Sequence, residues 1–290
     1  MLLTIDVGNT TTVLGVFAGT ELRDHWRIAT DHRRTADELA LLVRGLLAAS
    51  PESDGAGPVV VTGIAACSTV PSVLHEVRQM CRHYFPQVPT VVVEPGVRTG
   101  VPILTDNPKE VGADRVVNAL GAFHLYGGPT VVVDFGTATS FDAVSAKGEF
   151  LGGAIAPGVE ISVDALGARG AQLLKVELAR PRSVIGKNTV EALQSGILFG
   201  SAGQVDGVVR RMVAELGEAT TVLATGGLAP LLIRECATIN AHEPWLTLVG
   251  LRLVYARNVD ARNVDDRNVE ARNVDARNVD ARNVGERITP

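Results

Sequence analysis

"VVVDFGTATSFDAV" (residues 131–144) decides how this chain is read, because "LLTIDVGNTTTVLGVF" (residues 2–17) is its cousin. Both are short apolar runs that end in Asp, reach a Gly two positions on, and continue into small hydroxyl residues. An offset of 128 pairs Asp6 with Asp134, Gly8 with Gly136, Thr11 with Thr139, Thr12 with Ser140, Val16 with Val144 and Glu21 with Glu149. A hairpin with an Asp-x-Gly bend, present twice, predicts two related domains facing each other across a cleft.

One copy of the bend also describes a capped β-turn, for which Asp, Gly and Asn are common residues. Two opposed copies describe a grip on a nucleotide's phosphates. Gly8 lets the backbone bend tightly and approach phosphate oxygens. Asn9, Thr10, Thr11 and Thr12 can donate to those oxygens, and Asp6 can hold hydrated Mg²⁺, which takes few carboxylates and several waters. Asp134-Phe135-Gly136-Thr137-Ala138-Thr139 repeats the pattern. A third turn, "ATGGLAP" (224–230), follows a strand, and Gly226 and Gly227 would let an adenine or ribose lie flat on the backbone. No Walker loop competes, since in "IGKNT" (185–189) Asn188 stands where Ser or Thr belongs.

Outward from these bends, strand-like and helix-like runs alternate. Helices are expected over 35–50, with Thr35 as cap and Glu38 completing a capping box, over 69–85 starting near Thr69 or Ser72, around 158–168 and 188–216, and over 250–258. Residues 107–127 begin as a loop and become a helix. Strands are expected at 2–7, 12–17, 59–67, 90–95, 130–134, 139–145, near 150–154, and at 220–227, with a loop at 53–58. This alternation is that of an α/β protein whose sheets are covered by helices.

Composition narrows the classes. The 290 residues are 46% apolar and 20% charged, which suits one large or two ordinary soluble domains. No run approaches the roughly 20 apolar residues of a membrane span. The chain opens on a strand, without the basic and apolar regions of a secretion signal. Cys67, Cys81 and Cys236 make no CxxC pair, so buried thiols in a reduced, cytoplasmic setting are expected. A net charge of −5 argues against nucleic acid as a partner. The six histidines form no HxxxH or HxH pattern. From Ala256 a pentad repeats almost perfectly as "ARNVD", its seven Arg balancing seven acidic residues. A period of five spirals around a helix rather than making a stripe, so residues 256–290 are expected to be a low-complexity, disordered extension.

Seven motifs in order carry a resemblance: "DVGNT", "PGVRTG", "DNPKEVGADRVVNA", "VVVDFGTATSFD", "GEFLGGAIAPGV", "GKNTVEALQSG" and "ATGGLA". They are similar to the actin-like ATPases and sugar kinases, and more narrowly the chain resembles type III pantothenate kinases. The resemblance implies two duplicated ribonuclease H-like domains with mixed sheets flanked by helices, residues 1–115 and 116–255, and a kinase making 4′-phosphopantothenate for coenzyme A. It implies a pantothenate site at Gly112, Ala113, Asp114 and Arg115, with Asp114 as general base and Arg115 toward the substrate's carboxylate. It adds Thr189 as a substrate contact, although Asn188 or Thr189 serves equally as a helix cap. Asp6 to Val13, Val7 included, and Thr137 would contact ATP. Asp134 would bind a monovalent cation, K⁺ or NH₄⁺, beside the Mg²⁺ of ATP. A homodimer with its substrate pocket near the subunit interface is also implied. Many relatives have Tyr where Thr105 stands. Another phosphotransferase of the superfamily, or a regulatory protein on the same scaffold, are the alternatives.

Overall fold

The computed structural model describes residues 1–53, 58–169, 176–217 and 219–259. Within them lie two five-stranded sheets of one plan. The first half contributes β1 (Leu2–Val7), β2 (Thr11–Ala18), β3 (Glu21–Ala29), α1 (Ala36–Ala49), β4 (Gly63–Ser68), α2 (Pro71–Tyr84) and β5 (Thr90–Val92). The second contributes β6 (Thr130–Phe135), β7 (Ala138–Val144), β8 (Phe150–Pro157), α4 (Val159–Arg169), α5 (Thr189–Leu216), β9 (Thr221–Thr225), α6 (Ala229–Leu232) and β10 (Ala241–His242). Between them run α3 (Ala113–Tyr126) and, at the end, α7 (residues 246–259). The strand orders are β3-β2-β1-β4-β5 and β10-β9-β6-β7-β8, so each strand of one sheet has its counterpart in the other. In each, two antiparallel hairpins meet two parallel strands reached by helical crossovers.

The duplication extends to the register, with one correction. Val7 pairs with Thr12, whereas Phe135 pairs with Thr139, so the second phosphate turn is one residue shorter. The offset is therefore 128 on β1 and β6, and 127 on β2 and β7. Structurally Thr12 matches Thr139, Val13 matches Ser140 and Val16 matches Ala143; the sequence pairings of Thr11, Thr12 and Val16 at 128 do not hold. The next hairpin restores the offset, because Phe17 pairs with Leu22 and Val144 with Phe150. Both hairpins break register at the same place, Val16/Phe17 and Ala143/Val144. A shared bulge re-aims the strand in both halves.

Strand alternation sets what each face does. On β1, Leu3, Ile5 and Val7 are buried against Leu39, Val43 and Leu47 of α1 and Val73, Val77 and Met80 of α2. Val131, Val133 and Phe135 of β6 pack on Ile197, Leu198, Val205 and Val209 of α5. Asp6 and Asp134 fall on the opposite faces, which look inward. There α3 (Val116, Val117, Leu120) and α7 (Leu248, Leu251, Val254) share a third core with Phe17, Val144 and Phe150. Each such fully buried aliphatic side chain contributes roughly 1.5–3 kcal/mol. The two helices touch closely at Gly250, where a Cβ would lie 2.1 Å from the Val117 carbonyl oxygen.

Local expectations mostly hold, with reasons where they do not. Thr35 and Glu38 form the capping box of α1. The expected strand at 59–67 begins only at Gly63, because its parallel partner β1 itself begins at Leu2, which faces Gly63. At α2 neither Thr69 nor Ser72 caps; Pro71 occupies the first turn and the Ser68 hydroxyl takes the Val70 N–H at 2.9 Å. The third strands were not foreseen as a matched pair, since Asp24 interrupts the alternation of β3. Helix α7 continues through 256–259, the first four residues of the repeat. The Asn258 amide oxygen accepts from the Arg98 N–H at 3.3 Å, and its Nδ2 donates to the Arg98 carbonyl at 3.0 Å. Residues 54–57 of the expected loop and 260–290 of the tail lie outside the described residues.

Candidate active site

The inward faces enclose a cavity of about 520 Å³ between the sheets. Its floor is built by two matching cross-strand rows. Asp6 lies opposite Val13, which lies opposite Arg27; Asp134 lies opposite Ser140, which lies opposite Ile155. All six line the cavity. Directly opposed residues point to the same face of a sheet, so the register puts each carboxylate on the cavity face of its own sheet.

The turns close over this floor. The Gly8 N–H donates to the Thr11 carbonyl at 3.0 Å, and the Gly136 N–H to the Ala138 carbonyl at 3.1 Å. The Thr10 and Thr137 hydroxyl oxygens are 3.3 Å apart across the cleft. Gly226 follows β9 with φ of +92°, and a Cβ there would lie 2.5 Å from Oδ1 of Asp134. Only glycine allows that approach.

Asp114 enters from the first turn of α3, and its Oδ1 is buried without a hydrogen-bond partner. Burial is the main force raising its pKa. Asp6 and Asp134 are pushed up to about 7, by burial first and then by the charge of Asp114 and, for Asp134, of Asp6 and Asp142 as well. Their neutral neighbours give little relief: Cys67 donates to Asp6 at 3.3 Å, and Asn118 Nδ2 to Asp134 at 3.3 Å. Asn118 is held in turn by the Thr247 hydroxyl at 2.8 Å. Arg115, next in sequence to Asp114, turns toward β7, where its Nε donates to Asp142 Oδ1 at 2.7 Å. An unpartnered carboxylate oxygen among three repelling acids is a place for cations. The residues present therefore fit an oxygen-preferring divalent ion carried by a nucleotide's phosphates.

Most expected residues meet here. Asp6, Gly8, Asn9, Thr10, Thr11, Val13, Gly112, Asp114, Arg115, Asp134, Thr137, Gly226 and Gly227 line the cavity. Val7 and Thr12 turn to the other face of their strands: Val7 is in the core, and the Thr12 hydroxyl pairs with that of Thr30 at 2.8 Å. Ala113 packs against the central core. Thr189 is exposed at the first turn of α5, which Asn188 caps by accepting from the Glu191 N–H at 2.9 Å. Thr105 is half-buried outside the cavity wall, its hydroxyl without a partner.

Sequence reasoning missed three features. Asp142 was signalled by an acid inside the apolar run "SFDAV". Arg27 and Trp245 also line the cavity; the Arg27 guanidinium lies 4.9 Å from the Trp245 ring centre, and His25 lies against that ring at 3.9 Å. Nothing in either local sequence announces that contact, which joins β3 to the start of α7.

Two mixed sheets of one plan, with paired Asp-x-Gly turns over a carboxylate floor, define a nucleotide-using phosphotransferase of the actin-like and sugar-kinase fold. Solved structures agree on the fold. The ROK hexokinase of Thermus thermophilus aligns with 90% of this chain and 99% of its own at a TM-score of 0.50 and 14% identity. The activator of 2-hydroxyisocaproyl-CoA dehydratase from Clostridium difficile aligns with 92% and 97% at 0.50 and 13%. The family model of type III pantothenate kinase matches residues 2–211. The type III pantothenate kinase of Streptomyces avermitilis is 67% identical over 261 residues, 88% of this chain and 97% of that protein. That of Acidothermus cellulolyticus is 63% identical over 255 residues, 88% and 98%. The chain belongs to the type III pantothenate kinase family.

Proposed function

We propose that this protein transfers the γ-phosphoryl group of ATP to the primary hydroxyl of pantothenate, giving 4′-phosphopantothenate for coenzyme A synthesis. The observation that carries this reading is Asp114, a buried carboxylate at the first turn of α3 that lines a cleft walled by two phosphate turns. In this reading the domains 1–115 and 116–255 close on the nucleotide. Thr10, Thr11 and Thr137 donate to its phosphates, and Gly226 and Gly227 take the nucleoside. The primary hydroxyl donates to Asp114, which orients it and takes its proton late, as suits a loose phosphoryl transition state. Burial raises the Asp114 pKa, so it is a better base than an exposed Asp. Arg115 donates to the carboxylate of pantothenate.

Asp6 would hold through water the Mg²⁺ carried by ATP, which would supply neutralisation of the charge developing on the phosphates. Asp134 would hold K⁺ or NH₄⁺. Thr189, on the outer end of α5, fits a pocket completed by a second copy in a cytoplasmic homodimer. Among the described residues no helix is long and apolar enough to cross a membrane.

The test is ATP-dependent formation of phosphopantothenate, with K⁺ exchanged for Na⁺ and with Asp114→Asn alongside. Turnover that collapses in both controls supports the reading. No product from the wild-type protein, despite measurable ATP binding, would refute it.

A further inference from the structure

Asp142 is a buried acid that the phosphate turns do not require. Its side chain is fully buried on β7. By the structural offset of 127, the matching position of the first half is Gly15, where a Cβ would meet Leu248 at 2.7 Å and Leu22 at 2.9 Å. The duplicated hairpins thus differ here: apolar side chains fill the space in one half, and a carboxylate stands in the other. The half with the carboxylate is the one that Arg115 overlies.

The contact is close and doubled. Arg115 Nε donates to Asp142 Oδ1 at 2.7 Å, and Nη2 lies 2.5 Å from the same oxygen. The guanidinium carbon is 5.3 Å from the Phe150 ring centre on β8. The next oxygen of Asp142 has only the Ser140 hydroxyl, at 3.5 Å. Consecutive helical residues diverge by about 100°. Asp114 therefore points to the cleft floor while Arg115 lies over β7 and β8. Two of the five N–H groups of a guanidinium are spent on Asp142, and the side chain still lines the cavity.

We propose that Asp142 is a positioning residue for the acceptor substrate: it fixes the Arg115 guanidinium so that its remaining N–H groups face the acceptor's carboxylate. This rests on the role given to Arg115 above. Arg is a long side chain, and ordering it before binding removes that cost from the binding step. The ion pair also compensates the cation beside Asp114, whose base function needs an accessible carboxylate. Its short contacts are to Arg115, against a long one of 3.5 Å from the Ser140 hydroxyl, so its main effect falls on the acceptor rather than on ATP.

The test compares wild type, Asp142→Asn, Arg115→Gln and the double variant, with KM measured for each substrate and folding followed by thermal melts. Asp142→Asn is expected to raise the KM for pantothenate about 10-fold while the KM for ATP stays within about twofold. Adding it to Arg115→Gln is expected to leave the pantothenate KM unchanged, because Asp142 reaches the acceptor through Arg115. If Asp142→Asn alone does not fold, leaving a guanidinium buried without a counterion, the double variant decides, since two amides can pair in its place. An unchanged pantothenate KM in Asp142→Asn, equal rises for both substrates, or a further loss in the double variant beyond Arg115→Gln would overturn the proposal. An inactive wild-type protein would instead overturn the kinase reading.

Discussion

Thr10 and Thr137 come from opposite halves of the chain and hold their hydroxyl oxygens 3.3 Å apart, within hydrogen-bonding distance. Oxygens of a phosphate accept hydroxyl hydrogen bonds at about 2.7–2.8 Å. In the proposed reading a bound phosphoryl group replaces this mutual contact, each hydroxyl turning to donate to a phosphate oxygen instead. Removing either hydroxyl should weaken ATP binding without touching the acceptor. Thr10→Val and Thr137→Val are each expected to raise the KM for ATP several-fold, about 1 kcal/mol per hydrogen bond. Steady-state kinetics with each substrate saturated in turn would check this, and an unchanged ATP KM in both would contradict it.

Asp114→Asn should divide activity from stability. Loss of the base is expected to lower kcat by on the order of 10²–10⁴. The same change removes one of three repelling acids, so the melting temperature of the ligand-free protein should hold or rise. An inactive variant that also melts well below wild type would point to a structural role instead.

The acids of the floor also set a pH dependence. Asp6 and Asp134 are raised to about 7 in the fold from 3.8. A raised carboxylate binds its proton more tightly in the folded state, so its stabilising contribution is full below about pH 4 and is lost as pH rises through about 7. Without cations the protein should therefore melt lower at pH 8 than at pH 5.5, by on the order of 5 °C. K⁺ should recover part of the difference at pH 8, and Asp134→Asn should flatten the slope and remove the K⁺ response. Melts across that pH range in Na⁺ and in K⁺ would decide; a slope unchanged in Asp134→Asn would count against it.

Gly226→Ala should be costly out of proportion to one methyl group. Its φ of +92° is unfavourable for alanine, and the new Cβ would lie 2.5 Å from Asp134 Oδ1. A loss of about 1–3 kcal/mol is expected from the strained backbone alone, with weaker ATP binding. Gly227, with no atom within 4 Å of a Cβ, should tolerate the same change. Chemical denaturation of the two variants side by side would show the contrast.

Much of this molecule could be read from its letters because its main signals are local or repeated. The Asp-x-Gly bends, the capping box at Thr35 and the Gly226 turn are set by neighbours in sequence. What escaped was made by pairing. The one-residue deletion in the second phosphate turn is invisible to an ungapped offset, because the following hairpin restores it by Glu149. Asp142 was in plain sight within the motif, yet its partner Arg115 lies on another element. Arg27 needed both the unforeseen β3 and the start of α7, far along the chain, before its position on the cavity wall had any meaning.

The crossing of α3 and α7 carries one more consequence. Val117 meets Gly250 across it, one residue from Asn118 on one helix and three from Thr247 on the other. The same helices bring Asp114 and Arg115 of α3 and Thr247 and Leu248 of α7 to the cavity. A side chain at position 250 could fit only if the two helices shifted apart, so a residue that lines no part of the cavity sets how closely the helices carrying its lining residues pack.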